Sequence, residues 1–273
     1  IGDSILNCTF NKFGSSTYKN AIFSNGQSSV KQNKSIVLKG NKFINFQTSA
    51  VYIYNNSRSW NLSDNHLFQS TSYTPTGTHY GFLIKSGTDY TINENYIGGQ
   101  GENCTGNSYK LNSSSNFYFP IYMSVDDSLM NSLQGNHIKN IDFSTTSNLG
   151  AYATNPGVFC GIFVSGTSGA GNVEIGTIKG NFIGDTTLNS SSSIKITTNK
   201  DSCMIQAISV HSKGNVTISQ NSIGNFYTAN TIGKGYFFRG VYVTNTCNTV
   251  ITSNKIGSCS TSNSIVLGGS LTG

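Results

Sequence analysis

Short runs of alternating apolar and polar residues recur along the whole chain. None is long enough to fold as an amphipathic helix, and none is long enough to bury a face alone. One six-residue pattern repeats: apolar, two variable residues, Asn, one variable residue, apolar. Its copies are Leu38–Asn41–Phe43, Leu62–Asn65–Leu67, Ile92–Asn95–Ile97, Leu133–Asn136–Ile138, Ile178–Asn181–Ile183, Ile218–Asn221–Ile223 and Ile251–Asn254–Ile256. A degenerate first copy reads Cys8–Asn11–Phe13. Successive Asn positions lie 30, 24, 30, 41, 45, 40 and 33 residues apart.

A second pattern alternates with the first: a small residue, then apolar, variable, apolar. It is seen at Ala50–Ile53, Gly81–Ile84, Gly161–Val164, Ala207–Val210 and Gly240–Val243, with looser copies at Ala21–Phe23, Pro120–Met123 and Ser264–Leu267. Fixed-period self-similarity of this kind is the mark of a stacked repeat, in which each unit buries its apolar positions only against its neighbours. Each unit is expected to hold three short strands and an Asn turn, with loops of 10 to 20 residues in the longer units. Stacking then predicts two inward columns, Val51, Phe82, Ile121, Ile162, Ile208 and Val241, and Ile53, Ile84, Met123, Val164, Val210 and Val243. About eight coils at the strand-to-strand spacing make a rod about 38 Å long. The repeated Asn (Asn41, Asn65, Asn95, Asn136, Asn181, Asn221, Asn254) is expected to form a side-chain ladder. It is also expected to take the left-handed conformation of the turn.

The Gly-Ile-x-Val … Ile-x-x-Asn-x-Ile cadence, running from about residue 5 to 267, resembles the parallel β-helix repeat of the pectate-lyase-like superfamily. The resemblance implies an all-β, right-handed, single-stranded parallel β-helix spanning residues 1–273 as one domain. It leaves function wide, since that superfamily holds polysaccharide lyases, glycoside hydrolases, epimerases, tailspikes and non-catalytic adhesins. No amphipathic N-terminal capping helix is evident, and the last strand falls near the C-terminus. The expectation is a segment of a longer secreted protein, with further repeats or neighbouring subunits at the ends of the helix.

Composition sharpens this reading. Charged residues are only 10% and hydrophobics 36%, and Asn, Ser, Thr and 30 Gly fill the difference, which disfavours helices. The net charge of +6 comes from fifteen Lys and two Arg, Arg58 and Arg239, scattered singly. That scatter argues against a nucleic-acid partner. Apolar runs are too short to insert in a membrane. Six Cys without a CxxC or zinc-finger spacing argue against a metal centre. Their even number suggests disulfides and an oxidising, secreted or cell-surface location, with Cys247–Cys259 as the first pair to consider.

Two candidate sites follow. Asp126 and Asp127, after the strand Ile121–Met123, can form an acid/base pair or simply cap a solvent turn. Aligned repeats put Lys85 one coil earlier and His211 two coils later on the same edge, so that Lys85, Asp126 and His211 are expected to line one groove. Polygalacturonase-type relatives carry a paired Asp and a His there, but their Asn-Thr-Asp and Arg-x-Lys runs are absent. The second candidate is the outward residue between the two inward positions, which reads Tyr52, Leu83, Tyr122, Phe163, Ser209, Tyr242 and Val266, with Tyr52, Leu83, Tyr122, Phe163 and Tyr242 as the candidate binding residues. An aromatic outward column marks a binding face or a covered one, the cover being Phe117–Phe119 or Tyr236–Phe238. His66 and His137 fill a variable slot that also accepts Lys and Phe, so they read as surface residues, and His79 is expected in a loop. The expected function is a non-catalytic structural, adhesive or glycan-contacting role without cofactor, its partner a glycan or cell-surface polymer. A lyase or hydrolase acting on an acidic polysaccharide through Asp126, Asp127, His211 and Lys85 is the alternative.

Overall fold

The computed structural model describes residues 2–11, 18–112, 116–126, 129–147, 156–166, 171–184, 193–200, 203–230, 236–244, 248–258 and 264–267. Apart from one 3₁₀ turn at Glu102–Cys104, their regular elements are β-strands, and the strands pair in parallel. The chain is an all-β parallel β-helix. Two sheets of eight strands and one of seven run its length. The first sheet goes from Ser4–Leu6 to Thr249–Thr252, the second from Thr9–Phe10 to Lys255–Ile256, and the third from Asn20–Ser24 to Tyr236–Thr244.

The predicted inward columns are in register. Val51, Phe82, Ile121, Ile162, Ile208 and Val241 pair strand to strand across the third sheet, as do Ile53, Ile84, Met123, Val164, Val210 and Val243. Except at the last strand, these side chains are fully buried. The small residue that opens each copy has a steric cause. A Cβ on Gly81 would sit 3.2 Å from the Leu67 side chain, and one on Gly161 would sit 2.9 Å from Ile183. Leu67 and Ile183 are the closing apolar residues of the Asn pattern, so the two sequence patterns meet inside the coil.

The Asn ladder joins the first sheet to the second. Asn95 Oδ1 accepts from the backbone N and the Nδ2 of Asn65, both at 3.0 Å. Asn95 Nδ2 in turn donates to Leu62 O at 2.8 Å and to Asn136 Oδ1 at 2.9 Å. The same set recurs from Asn41 through Asn136, Asn181 and Asn221 to Asn254. The side chains from Asn41 to Asn221 are fully buried.

Several expectations are corrected. The residue in the left-handed conformation is the one before the ladder Asn, as at Gly40, Asp64, Glu94, Gly135, Gln220 and Ser253. Asn is selected by its amide, and the turn geometry falls to its neighbour. Ile178 is 80% exposed. Ile175 takes the inward position, pairing with Leu133 and Ile218, and the extra residues form a bulge whose Ile178 and Lys179 amides donate to Gln134 Oε1. The first copy is shifted too. Ile5 pairs with Leu38 and Phe10 with Phe43, so Cys8 occupies the Asn slot and its backbone N donates to Asn41 Oδ1 at 2.9 Å.

Parts of the expected loops are strands. Tyr109–Leu111, Ile141–Thr145, Ile194–Thr198, Phe226–Asn230 and Ile265–Leu267 build a five-stranded fourth sheet. The copy Ser264–Leu267 therefore belongs to this sheet and pairs with Phe226–Thr228. Between the third and fourth sheets lies an aromatic core of Phe46, Tyr109, Tyr118, Phe143, Phe159 and Phe226.

Cys8, Cys104, Cys160 and Cys203 are free thiols, and Cys247–Cys259 lies outside the described residues. The expected disulfides are thus missing from these four. The reason is positional, since Cys104, Cys160 and Cys203 are each buried on a different backbone carbonyl. Burial pushes the Cys104 thiol up to about 12.

Truncating a mid-ladder amide strands buried donors on both neighbouring coils. Asn95→Ala is expected to lower stability by about 3 kcal/mol or more, and Asn254→Ala, on the half-buried last rung, by about 1 kcal/mol. Urea denaturation followed by circular dichroism compares the two, and equal losses would contradict a cooperative ladder.

Candidate functional site

The third sheet presents three outward rows set by register. The first runs Phe23, Tyr52, Leu83, Tyr122, Phe163, Ser209, Tyr242. It contains six of the seven outward residues named from the sequence; the seventh, Val266, pairs with Tyr227 in the fourth sheet instead. Beside it stand Tyr80 and Phe119, then Gln206 and Arg239, paired across adjacent strands. On the other side Ser165, His211 and Thr244 share a row.

Ring contacts make the rows one surface. Phe23 meets Tyr52 at 5.3 Å and Tyr52 meets Tyr54 at 5.7 Å between centroids. Tyr80 meets Tyr122 at 5.5 Å, and Tyr122 meets Phe163 at 5.0 Å. His211 lies edge-on between Phe163 at 5.3 Å and Tyr242 at 5.5 Å. Two cations lie over the rings: Lys85 Nζ is 5.0 Å from the Tyr122 centroid, and the Arg239 guanidinium carbon is 4.1 Å from that of Tyr242. Such contacts hold a cation and an aromatic face together at a wet surface.

Exposure divides the stripe. Leu83 and Phe163 are 4% and 5% exposed, packed into the stripe itself, whereas Tyr52, Tyr122 and Tyr242 are half-exposed and Phe23 and Tyr54 exposed. The expected loop cover is corrected. Phe119 is part of the strand Tyr118–Val125, and Tyr236–Phe238 opens the strand Tyr236–Thr244. Phe117 does pack against the Phe119–Cys160–Phe163 cluster.

The sequence-predicted catalytic residues are on one edge but not in one place. Asp126 follows the strand Tyr118–Val125, and His211 ends the strand Cys203–His211, with Phe159–Gly166 between them. Two strand spacings put their backbones roughly 10 Å apart, and the three between Lys85 and His211 give roughly 14 Å. Asp127 lies outside the described residues. Asp126 is engaged by the preceding coil: its Oδ2 accepts from Gly87 N at 3.0 Å, and its own N donates to Gly87 O at 3.1 Å. His211 Nε2 pairs with Ser209 Oγ at 3.0 Å. Burial, then the nearby Arg239 charge, holds its imidazole below the usual range.

Asp126 instead helps to line a cleft of about 440 Å³ at the corner where the third sheet turns toward the first. The other walls are Gln32, Asn55, Asn56, Ser57, Arg58, Ser86, Gly87 and Thr88. Arg58 sits on the short strand Ser57–Arg58, which pairs with Asn33–Lys34 and bridges to Thr88. The sequence reading missed this cleft and the Arg239–Gln206 pair. Both Arg residues of the chain lie in these two places, and their rarity was the one signal available.

The remaining histidines hold structure. His137 is stacked between Tyr96 at 5.0 Å and Phe182 at 4.8 Å on the outer side of the second sheet, and His66 Nε2 bonds Gly99 O at 2.7 Å. His79 is not in a loop. It opens the strand His79–Ile84, fully buried, with Nδ1 on Gln47 O at 2.8 Å and Nε2 on Tyr109 Oη at 2.6 Å.

Comparison with family models, characterised proteins and solved structures finds no match. Among the described residues, no group of three or more His, Cys, Asp or Glu is placed to hold a metal ion, and no helix is long and apolar enough to cross a membrane.

Burial lowers the His79 imidazole to about 4. The unfolded chain takes up its proton near pH 6.5, so the His79 contribution is complete above that pH and falls as pH drops toward 4. The loss amounts to about 3 kcal/mol. Denaturant midpoints at pH 7 and pH 4.5 should differ by less in His79→Gln than in the wild type, and an unchanged pH dependence would contradict this.

Proposed function

We propose that this chain is a non-catalytic, extracellular or cell-surface β-helix segment of the pectate-lyase-like superfamily, whose third sheet contacts glycans. The carrying observation is the outward aromatic row from Phe23 to Tyr242, with Lys85 over Tyr122 and Arg239 over Tyr242. Pyranose rings have apolar C–H faces that lie against aromatic rings, while their hydroxyls accept hydrogen bonds from cations at the ring edge. A row of half-exposed tyrosines along a straight axis suits an extended polymer better than a compact ligand.

The composition supports the same reading. A surface of Asn, Ser and Thr with few charges is compatible with a neutral, hydroxyl-rich partner, and the Asn and Gly cadence together with the parallel β-helix supports the superfamily reading. The lyase or hydrolase alternative gains no observation, because Asp126 bonds the neighbouring turn and stands two strands from His211.

Affinity electrophoresis against a panel of plant, algal and microbial polysaccharides tests this. At least one polymer should retard the wild type, and Tyr122→Ala should weaken that retardation about tenfold. Tyr122 is half-exposed, so the variant should keep its circular dichroism spectrum. A blank panel, or a Tyr122→Ala protein retarded like the wild type, would remove the glycan-contacting role.

A further inference from the structure

The corner cleft is built differently from the stripe. Its wall takes residues from four successive coils: Gln32, then Asn55 to Arg58, then Ser86 to Thr88, then Asp126. All its side chains are polar, with one cation and one carboxylate among them. Five are committed to the scaffold. Asn56 Nδ2 donates to Gly26 O, Ser57 Oγ to Asn55 O, Ser86 Oγ to Tyr54 O and Thr88 Oγ1 to Leu129 O, while Asp126 Oδ2 accepts from Gly87 N. These bonds fix the wall. The side chains of Gln32, Asn55 and Arg58 have no hydrogen bond or ion pair among the described residues and are free to meet a ligand.

The chemistry of the wall selects the ligand class. A single carboxylate beside an arginine is a poor cation site, since divalent cations want several oxygen anions. The carboxylate also opposes a phosphate, and the wall has no aromatic face for a nucleobase. What remains is a small neutral molecule with many hydroxyls. Amide, guanidinium and carboxylate groups each present two polar atoms in one plane, which matches two neighbouring hydroxyls of a sugar ring. Tyr54 directly precedes Asn55 and is exposed, and its ring rests on Tyr52 of the stripe at 5.7 Å. The cleft therefore opens beside the aromatic row.

We infer that this cleft binds one neutral sugar unit through Gln32, Asn55 and Arg58, against the wall that Asp126 helps to fix, as a terminal or branch residue of a glycan whose continuation lies over Tyr54 and Tyr52. The inference rests on the glycan-contacting reading and adds to it a position and a ligand class.

The test is isothermal titration calorimetry of the full chain with galactose, glucose, mannose, rhamnose and N-acetylglucosamine, and with galacturonate and inorganic phosphate. One of the neutral sugars should bind in the millimolar range. Arg58→Ala and Asn55→Ala, both at exposed side chains, should each weaken it about tenfold. Ile178→Ala, at an exposed residue outside both the cleft and the aromatic row, should leave it unchanged. The assignment is overturned if no neutral sugar binds, if galacturonate or phosphate binds in preference, or if both cleft variants bind like the wild type. Polymer retention that needs Tyr122 but neither Arg58 nor Asn55 would remove the cleft and keep the stripe. Absence of all carbohydrate binding would remove both.

Discussion

The structure depends on how a chain turns between two stacked sheets without leaving buried amides unpaired. Every coil must take its backbone from the first sheet to the second inside the wall, where water cannot satisfy an N–H or a carbonyl. Asn solves this with one planar group. Its oxygen accepts from the backbone and side chain of the Asn in the preceding coil, and its nitrogen reaches both the amide of the next coil and the carbonyl of the apolar residue that began the preceding coil's turn. No apolar residue can do this, and Asp could accept but not donate. The amide thus fixes the vertical register of each coil. Register in turn sets which side chains stack, because a slip of one residue sends a strand's inward set outward. The aromatic row, the inward columns and the corner cleft all inherit their alignment from it.

Cys8 and Asn254 show what the ladder requires at its ends. At Cys8 the backbone N–H donates to Asn41 Oδ1 as the ladder Asn backbones do, while the side chain departs from the pattern. At Asn254 the amide still donates to Ile218 O and accepts from Asn221, but it is half-buried and no described Asn lies beyond it. The apolar residues around it, Ile251 and Ile256, are exposed where their counterparts in middle coils are sealed. Burial in this fold is therefore a property of neighbours and not of the residue type.

The parts legible in the sequence are those that repeat. Period-2 alternation inside strands and the fixed Asn slot were enough to place Val51 over Phe82 and Ile53 over Ile84. Ile178 misled because a bulge slid an apolar residue into the expected spacing, and only the pairing of Ile175 with Leu133 and Ile218 exposes the substitution. The left-handed residue was misplaced for a related reason: Gly, Asp, Glu, Gln and Ser all occupy it, so no residue type announces it. Asp126 and His211 were read onto one edge correctly. Their separation of two coils was legible as well, because counting repeats counts strands; what the alignment could not supply is the bond from Gly87 N to Asp126 Oδ2 that ties the carboxylate to the neighbouring turn.

The corner cleft lies at the far limit of such reading. Gln32 and Asp126 are three coils apart, and nothing in either local segment points to the other. The fold brings them together because the turn out of the third sheet falls at the same corner on every coil. A solenoid of this kind separates two tasks that most small domains must combine. Neutral amides and methyl groups hold the stack, leaving the scarce charges free for the surface. With only two arginines in the chain, one over the ring of Tyr242 and the other in the polar cleft beside Tyr54, the guanidinium groups are placed where flat, hydroxyl-bearing ligands would be met, at two points of the same outward face and its adjoining corner. That division is the physical reason to look for function along this one side of the helix, and it holds independently of any single residue assigned there.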